Sequence, residues 1–289
     1  MWFTLATPEL ELRLRLEDLS KVRIQEEIIP ELFDELAGAI KSDGVAKHPA
    51  IIDLNTFVVL DGMHRVAALE RLDCKYLPVC LVDYQSSGVK VGCWYRTIEG
   101  RASVDEILAA IRALGIVLEE FQLERAMRML DAREAPVVVR TMEKCYLAKG
   151  ASEGIRESYA LVKRIEKALV EKDLEVGYKT EGDAAREVQS GRAIAALLTP
   201  RATKDEVIEA ALSGRVFAHK TTRHILAARP MCMDVPLEWL KGEESLEEVN
   251  RMLIEHLSKR EVKRLPKGAL FEGRRYEEAL WIFEQLESL

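Results

Sequence analysis

The residues with the clearest chemical potential form the turn Asp61-Gly62-Met63-His64-Arg65, which follows the apolar run Phe57–Leu60. A strand that enters a helix through a glycine turn exposes unpaired backbone N–H groups and the positive end of the helix dipole. Such a terminus binds anions, Gly62 allows a ligand to approach the backbone, and Arg65 suits phosphate oxygens. The turn therefore predicts an anion site. The same spacing also fits a structural role, with Asp61 as an N-cap and Arg65 at the surface.

A carboxylate beside an anion site requires a reason, because like charges repel each other. Asp61 could hold Mg²⁺, since carboxylate oxygens are preferred ligands of that ion. It could also accept a proton during a reaction. Either role would make the anion site a catalytic one.

The segment Gln25-Glu26-Glu27 lies just before the first predicted helix. Two carboxylates at this position can complement the positive end of a helix dipole and have no further role. The functional alternative is that one of them is a general base, which must reach the proton that it removes. The residues alone leave both interpretations open.

The run Lys220-Thr221-Thr222-Arg223-His224 brings two cations, two hydroxyls and an imidazole together within a few residues. This composition suits the binding of a carboxylate or a phosphate. The alternative is a solvated loop. Trp94 and Tyr95, at the end of a predicted strand, could form the wall of a pocket, although aromatic residues in strands also fill cores.

Hydrophobic spacing predicts the elements that must position these residues. The alternation of Leu10–Leu16 indicates a half-buried strand, and apolar residues at helical intervals from Ile29 to Ile40 indicate a helix that ends near Gly44. Short apolar runs predict strands on both sides of the first helix, and strands and helices continue to alternate after it. Such a mixture indicates an α+β, or mixed α/β, fold built in layers.

A change of pattern near Gly100 predicts a domain boundary, which gives an N-terminal domain over residues 1–100 and a C-terminal α/β domain over residues 101–289. Capping boxes at Ser103-x-x-Glu106 and Ser245-x-x-Glu248 predict helix starts. From about Glu243 to the end, the chain is predicted to be a mostly helical tail.

The composition argues against several classes of protein. The 289 residues carry a formal net charge of −7 with no block of Lys and Arg, so they provide no electrostatic footprint for nucleic acid. No apolar run approaches the roughly 20 residues that span a membrane. The five cysteines include no C-x-x-C pair, which argues against a zinc site, and their odd number favours a reducing cytoplasm. Asn and Gln are scarce beside Glu and Arg, which indicates a thermophilic source.

Val58–Arg65, followed by Ala67-Ala68-Leu69 and Leu77-Pro78-Val79, resembles the nucleotide-binding core of the ParB/sulfiredoxin superfamily. Combined with Lys220–His224, it looks most like the archaeal free serine kinases, which phosphorylate L-serine to O-phosphoserine on a route to cysteine. The resemblance covers residues 10–100 approximately and returns at residues 220–224. It implies a ParB/sulfiredoxin-like N-terminal lobe that binds a nucleotide and an α/β C-terminal lobe that contributes substrate-binding residues.

The resemblance implies a phosphotransferase that uses ATP or ADP with Mg²⁺ and has free serine as its acceptor. Glu26 maps onto the family's essential glutamate, and a shift of one residue would place that role on Glu27. Asp61 would orient the nucleophile or help to hold Mg²⁺. The other implied site residues bind the nucleotide (His48, Gly62, Met63, His64 and Arg65) or the serine (Trp94, Lys220, Thr221, Thr222, Arg223 and His224). The expected partners are small molecules, with neither nucleic acid nor a membrane among them.

Two positions depart from the pattern of this family, because Met63 and Gln25 stand where the kinases often have histidine. Sulfiredoxin chemistry requires a cysteine at this position. The presence of Met63 there excludes that activity. A chromosome-partitioning ParB would have an arginine-rich turn and a basic helix-turn-helix, which this acidic chain lacks. The competing prediction is a ParB-like nucleotide-binding regulator, or a DNA-partition-related protein, without kinase activity.

Overall fold

The computed structural model describes residues 1–150 and 154–284, and these form the mixed α and β structure that the sequence predicts. The helices are α1 (Pro30–Asp43), α2 (Met63–Arg71), α3 (Val104–Ala113), α4 (Leu123–Asp131), α5 (Ile155–Val170), α6 (Glu181–Gln189), α7 (Lys204–Leu212), α8 (Leu237–Lys241) and α9 (Leu246–Ser258). The strands are β1 (Phe3–Ala6), β2 (Glu11–Asp18), β3 (Val45–Ala46), β4 (Ala50–Asp53), β5 (Val59–Asp61), β6 (Tyr76–Val82), β7 (Val89–Gly92), β8 (Tyr95–Glu99), β9 (Leu118–Phe121), β10 (Val138–Thr141), β11 (Cys145–Ala148), β12 (Glu175–Lys179), β13 (Ala195–Leu198), β14 (Arg223–Leu226), β15 (Ala228–Met231), β16 (Val235–Pro236), β17 (Val262–Leu265), β18 (Leu270–Phe271), β19 (Arg274–Arg275) and β20 (Ala279–Phe283).

The chain folds into two compact units, of which the first is assembled from separate parts of the sequence. The first unit contains Met1–Lys90, Lys204–Val216 and His224–Leu289, and the second contains Val91–Thr203 and Phe217–Arg223. The sequence predicted one boundary near Gly100. The chain instead first crosses between Lys90 and Val91, and its C-terminal part joins the N-terminal residues because their elements pair and pack together.

The first unit is built on a five-stranded sheet of order β1-β2-β6-β4-β5, in which β4 and β6 are parallel and the other neighbours are antiparallel. In β2, the alternation predicted from sequence is observed: Leu12, Leu14 and Leu16 are fully buried. Every residue of β6 and β4 is buried as well. The strand β5 therefore lies beside a buried core, which fixes the position of Asp61 at its end.

Helices α1 and α2 pack against each other in the first unit, and α9 packs against β2. The capping box predicted at Ser245 is present at the start of α9. Within α9, the buried side chain of Asn250 accepts a hydrogen bond from the N–H of Leu16 (2.8 Å) and donates one to its carbonyl (3.0 Å). The C-terminal part is thereby joined to β2 by directional bonds as well as by apolar contacts.

The second unit is a six-stranded sheet of order β12-β8-β13-β10-β11-β9, with all pairs antiparallel. Successive residues of β10 point to opposite faces, as strand geometry requires. Val139 belongs to the apolar cluster that includes the buried sides of α3 and α5, and Val138 to the cluster that includes those of α4 and α6. The sheet is therefore covered by helices on both faces.

The predicted helical tail from about Glu243 is only partly correct. Helix α9 forms, but the chain then turns to strands, and β20 lies between β15 and β17 in a three-stranded sheet. The apolar run Leu280–Phe283 is buried there, parallel to β15 and antiparallel to β17. Cross-strand partners far away in sequence thus override the local pattern. In the part of the chain that the structure describes, there is no helix with the length and apolar character of a membrane span.

Candidate active site

The predicted anion turn lies at the junction of β5 and α2, as the sequence indicates. Gly62 is the N-cap of α2 with a φ of 96°, and no side chain caps the helix there. The turn requires glycine for this conformation, and a Cβ atom at this position would displace the Arg65 guanidinium, whose Nη2 would lie 2.6 Å away. Asp61 is therefore not the N-cap that the structural alternative predicted.

Two arginines hold the Asp61 carboxylate. Its Oδ2 accepts a hydrogen bond from Nη1 of Arg229 at 2.6 Å and from Nη2 of Arg65 at 3.2 Å. Burial alone would raise the pKa of Asp61, but the charges of Arg229, Arg65 and Arg274 outweigh it and hold the pKa well below its usual range. Asp61 consequently remains ionised at neutral pH and cannot accept a proton there.

Arg229 is a site residue that the sequence analysis missed. Its side chain on β15 is 8% exposed, and its Nη2 donates to Oε1 of Glu278 at 3.0 Å. Burial would lower the pKa of Arg229, but Asp61 and Glu278 outweigh it and raise the pKa further. The signal in the sequence was a lone charge within the apolar run Leu226–Met231.

The segment that carries Glu26 runs beside β5. The N–H of Arg23 donates to the carbonyl of Phe57 (3.0 Å), and the N–H of Val59 donates back to the carbonyl of Arg23 (2.8 Å). Glu26 is 4% exposed, whereas Glu27 is only partly buried. Burial therefore distinguishes the two carboxylates that spacing alone could not separate, although it does not assign a role to either.

Two histidines predicted to contact the nucleotide are engaged by protein atoms. The N–H of Ile29, at the start of α1, donates to Nε2 of His64 at 3.2 Å. His48 Nδ1 accepts from the N–H of Cys232 (3.1 Å), and its Nε2 lies 3.1 Å from Oε2 of Glu272. Because Nδ1 is an acceptor, Nε2 must carry the hydrogen and donate to Glu272. Burial and the charge of Arg65 lower the pKa of His48, which favours this neutral form.

In the second unit, the loop from Phe217 to Arg223 packs on Trp94, a residue predicted from sequence to bind substrate. The indole N–H of Trp94 donates to the carbonyl of Thr222 at 3.1 Å. The Nζ of Lys220 lies 4.9 Å from the centre of the indole ring, and Cζ of Arg223 lies 5.8 Å from it. Four of the five residues of the predicted Lys220–His224 run thus belong to one unit with Trp94.

Arg96 fixes the backbone of this loop and was also missed from sequence. Its side chain is 2% exposed, and Nη1 donates to the carbonyls of Trp94 (2.6 Å) and Lys220 (3.1 Å). Its Nε pairs with Oε1 of Glu166 at 2.5 Å. The hydroxyl of Tyr159 lies 2.9 Å from the carbonyl of Thr221. These groups hold Lys220 with a φ of 60°, a conformation that side-chain residues seldom adopt.

The polar side chains of the loop differ in what they contact. The hydroxyl of Thr221 is fully buried and donates to the carbonyl of Ala218 at 2.8 Å, so it stabilises the turn itself. Arg223 pairs with Glu181 at 2.6 Å. Burial would raise the pKa of Glu181, but hydrogen bonds, including that from Arg223, and nearby charges lower it. The guanidinium of Arg223 is therefore already paired with a carboxylate.

His224, the last residue of the predicted run, belongs to the first unit. It is 5% exposed, and its Nε2 lies 2.8 Å from the hydroxyl of Tyr84. Burial lowers the pKa of His224 to about 4, although the charge of Asp61 opposes the shift. The imidazole is thus neutral at pH 7. The sequence pattern did not indicate that His224 and Arg223 belong to different units.

No protein-family model matches the chain. The chain is 33% identical over 231 residues to the ATP-dependent L-serine kinase of Staphylothermus marinus, an alignment that covers 78% of this chain and 90% of that one. It is 27% identical over 229 residues to the ADP-dependent L-serine kinase SerK of Thermococcus kodakarensis, with 77% and 91% covered. Among solved structures, a free serine kinase in complex with AMP matches with a TM-score of 0.66 at 26% identity, covering 78% of this chain and 93% of that one.

Proposed function

The chain belongs to the family of free L-serine kinases, and on that premise we propose that it transfers a phosphoryl group from ATP or ADP to the hydroxyl of L-serine. The product is O-phospho-L-serine, which would suit a route to cysteine. The observation that carries the proposal is the similarity to the Staphylothermus marinus kinase over 90% of that protein's length. The ionised Asp61, beside a helix N-terminus that no side chain caps, also supports the proposal.

The start of α2 and Arg65 are assigned to the phosphates of the nucleotide. The first N–H groups of the helix have no side-chain cap, and an anion at this position interacts favourably with the helix dipole. The buried Nε of Arg65 has no hydrogen-bond partner among the described residues, and a phosphate oxygen would satisfy it. Met63 and His64 contribute through their backbone positions in the same turn. His48, whose ring nitrogens contact Cys232 and Glu272, would act on the nucleotide by packing.

Asp61 fits a role in holding Mg²⁺. Both arginines bind Oδ2, while Oδ1 accepts no hydrogen bond from a described residue and the side chain is 40% exposed. Magnesium sites commonly use one or two carboxylates with substrate phosphates and water. The described residues contain no group of three His, Cys, Asp or Glu that could form an all-protein site, so the phosphates would supply the other ligands. When bound, the ion neutralises charge on the transferring phosphoryl group.

Glu26 is assigned as the general base. In the transfer, the serine oxygen forms a bond to the terminal phosphorus of the donor as the bond from that phosphorus to its bridging oxygen breaks. The serine hydroxyl proton passes to the Glu26 carboxylate, and the nucleotide leaves as ADP when ATP is the donor or as AMP when ADP is the donor. Asp61 is unsuited to take this proton because its pKa is held too low.

Binding of the acceptor is assigned to four residues of the second unit: Trp94, Lys220, Thr222 and Arg223. The cation–π contact with Trp94 holds the charge of Lys220, which suits the serine carboxylate, while Arg223, already paired with Glu181, lies near the same ring. Thr221 would support this surface through its bond to Ala218. His224 would support the turn in the first unit, since it is neutral and bonded to Tyr84.

The proposal is tested by incubating the protein with L-serine and Mg²⁺ and with ATP or ADP in separate reactions. Mass spectrometry should detect phosphoserine in at least one of them. Homoserine and threonine serve as competing acceptors and define the specificity. Absence of phosphoserine with both donors would overturn the proposal and favour the nucleotide-binding regulator.

The assignment of the base is tested by Glu26→Gln. Loss of a general base costs about 10²–10⁴ in rate, so kcat should fall by that order while the thermal transition changes little. Glu27→Gln is the matched control, because it makes the same chemical change one residue away and should keep wild-type turnover. Full activity in Glu26→Gln, or an equal loss in Glu27→Gln, would contradict the assignment.

A further inference from the structure

A two-residue hairpin near the C-terminal end contacts His48, a residue assigned to the nucleotide, within the first unit. Phe271 pairs with Arg274, and Leu270 with Arg275, so Glu272 and Gly273 form the loop. Both loop residues have positive φ, 46° and 75°, as the type I′ turn of a two-residue hairpin requires. Glutamate is an unusual choice for this conformation, and an unusual conformation of this kind often accompanies a functional constraint.

The side chain of Glu272 supplies that constraint. Its Oε2 accepts the Nε2–H of His48 at 3.1 Å, while the opposite nitrogen of the same ring accepts from the N–H of Cys232. The imidazole is mostly buried, at 18% side-chain exposure. The tip of the hairpin is thus fixed against His48, whose other nitrogen accepts from Cys232, three residues after the arginine that binds Asp61.

Arg274 follows the tip directly. Its guanidinium carbon lies 4.8 Å from the centre of the Tyr276 ring, and Tyr276 is buried. Within the described residues Arg274 forms no ion pair, although its charge acts on Asp61. The other two arginines near Asp61 differ in this respect, since Arg65 and Arg229 both contact a carboxylate.

We propose that Arg274 binds the terminal phosphate of the donor nucleotide and that the contact between Glu272 and His48 positions it. The inference rests on the proposed function, because it requires a phosphorylated donor at the turn. The hairpin is held to His48, and Tyr276, on which Arg274 stacks, packs in one cluster with Met231 on the strand of Arg229. A guanidinium there, with no ion pair among the described residues, would gain a charge-assisted hydrogen bond from a phosphate at the turn. The hairpin would thereby act on the phosphoryl group that is transferred and not on the nucleoside.

Binding of nucleotides in the absence of serine tests the proposal by isothermal titration calorimetry with AMP, ADP and ATP. Arg274→Gln should weaken the binding of the nucleotide that serves as phosphoryl donor by roughly tenfold or more, which is the effect of one hydrogen bond to a charged group. Binding of AMP should not change. Arg275→Gln is the matched control, because the neighbouring arginine lies on the opposite face of the hairpin. Arg274→Lys should recover part of the affinity.

Unchanged donor affinity in Arg274→Gln would overturn the proposal, and so would an equal loss for AMP and for the donor. Either result would leave the proposed function intact as long as the wild-type protein makes phosphoserine. If the wild-type protein binds none of the three nucleotides and makes no phosphoserine, the proposed function itself fails.

The positioning role of Glu272 is tested by a double-mutant cycle. Glu272→Gln should weaken donor binding less than Arg274→Gln does, and the two substitutions together should not be additive. The Glu272 variant should also leave the affinity for AMP unchanged. Additive effects, or a loss that includes AMP, would show that Glu272 acts only on the stability of the hairpin and would overturn its positioning role.

Discussion

The two regions that contain the candidate site residues are organised by different kinds of contact. Around Asp61, charged side chains bind one another: Arg65 and Arg229 contact the carboxylate, and Glu278 contacts the far side of Arg229. Around Trp94 ion pairs occur as well, but buried side chains also bind the backbone carbonyls of the loop, as Arg96 does with Lys220. The first arrangement holds the charge of Asp61, whereas the second also fixes the shape of a loop. Variants of the two regions should therefore change different measured quantities.

Arg229→Met should have the largest effect on stability, and this effect should be confined to the first region. It leaves Glu278, at 8% side-chain exposure, without its ion-pair partner, and removal of one member of a buried pair costs about 3–5 kcal/mol. The free energy of unfolding by denaturant measures this loss. Arg275→Met, at an exposed position, should cost almost nothing. Addition of Glu278→Met should restore part of the stability, and no difference between the single variants would contradict the network.

The pH dependence of stability should come next in size. His224 has a pKa of about 4 in the folded protein against 6.5 for the free side chain, so the unfolded chain binds more protons between these values. The stabilisation is complete above pH 6.5 and is lost as the pH falls toward 4, with an upper limit of roughly 3 kcal/mol. Denaturation curves across this range should be less steep in pH for His224→Gln than for wild type. Equal slopes would show that His224 does not titrate as described.

Tyr159→Phe should have the smallest effect and should be confined to the second region. The variant removes the hydroxyl that lies 2.9 Å from the carbonyl of Thr221, and a buried group left unsatisfied costs about 1–3 kcal/mol. The KM for serine should rise while the affinity for nucleotide stays unchanged. Tyr146→Phe, on β11 of the same unit, is the control. A change in nucleotide affinity of equal size would remove the distinction between the regions.

The sequence predicts the local part of this arrangement well. Alternation identified β2, helical spacing and a glycine identified α1 and its end, and the strand–glycine–helix pattern identified the turn at Gly62. These features depend on neighbours in sequence, which periodicity reports directly. The roles of Glu26, His48 and the run from Lys220 remain predictions.

The partners of the turn could not be predicted because they are distant in sequence. Arg229 lies 168 residues after Asp61, and nothing in its local pattern specifies a carboxylate at that separation. The strand β20 was assigned to a helical tail for a similar reason, since its pairing with β15 is a tertiary contact.

The sequence separation of these contacts has a consequence for the order in which the protein acquires its charges. The contact between His48 and Glu272 closes a loop of 224 residues, and the ion pair between Asp61 and Arg229 closes one of 168. During synthesis, the residues of the turn at Gly62 are translated long before Arg229 and Glu272. Closing such loops costs entropy before any contact is made, and it slows folding. The pairing of Asp61 with Arg229 is therefore expected to be a late event of folding.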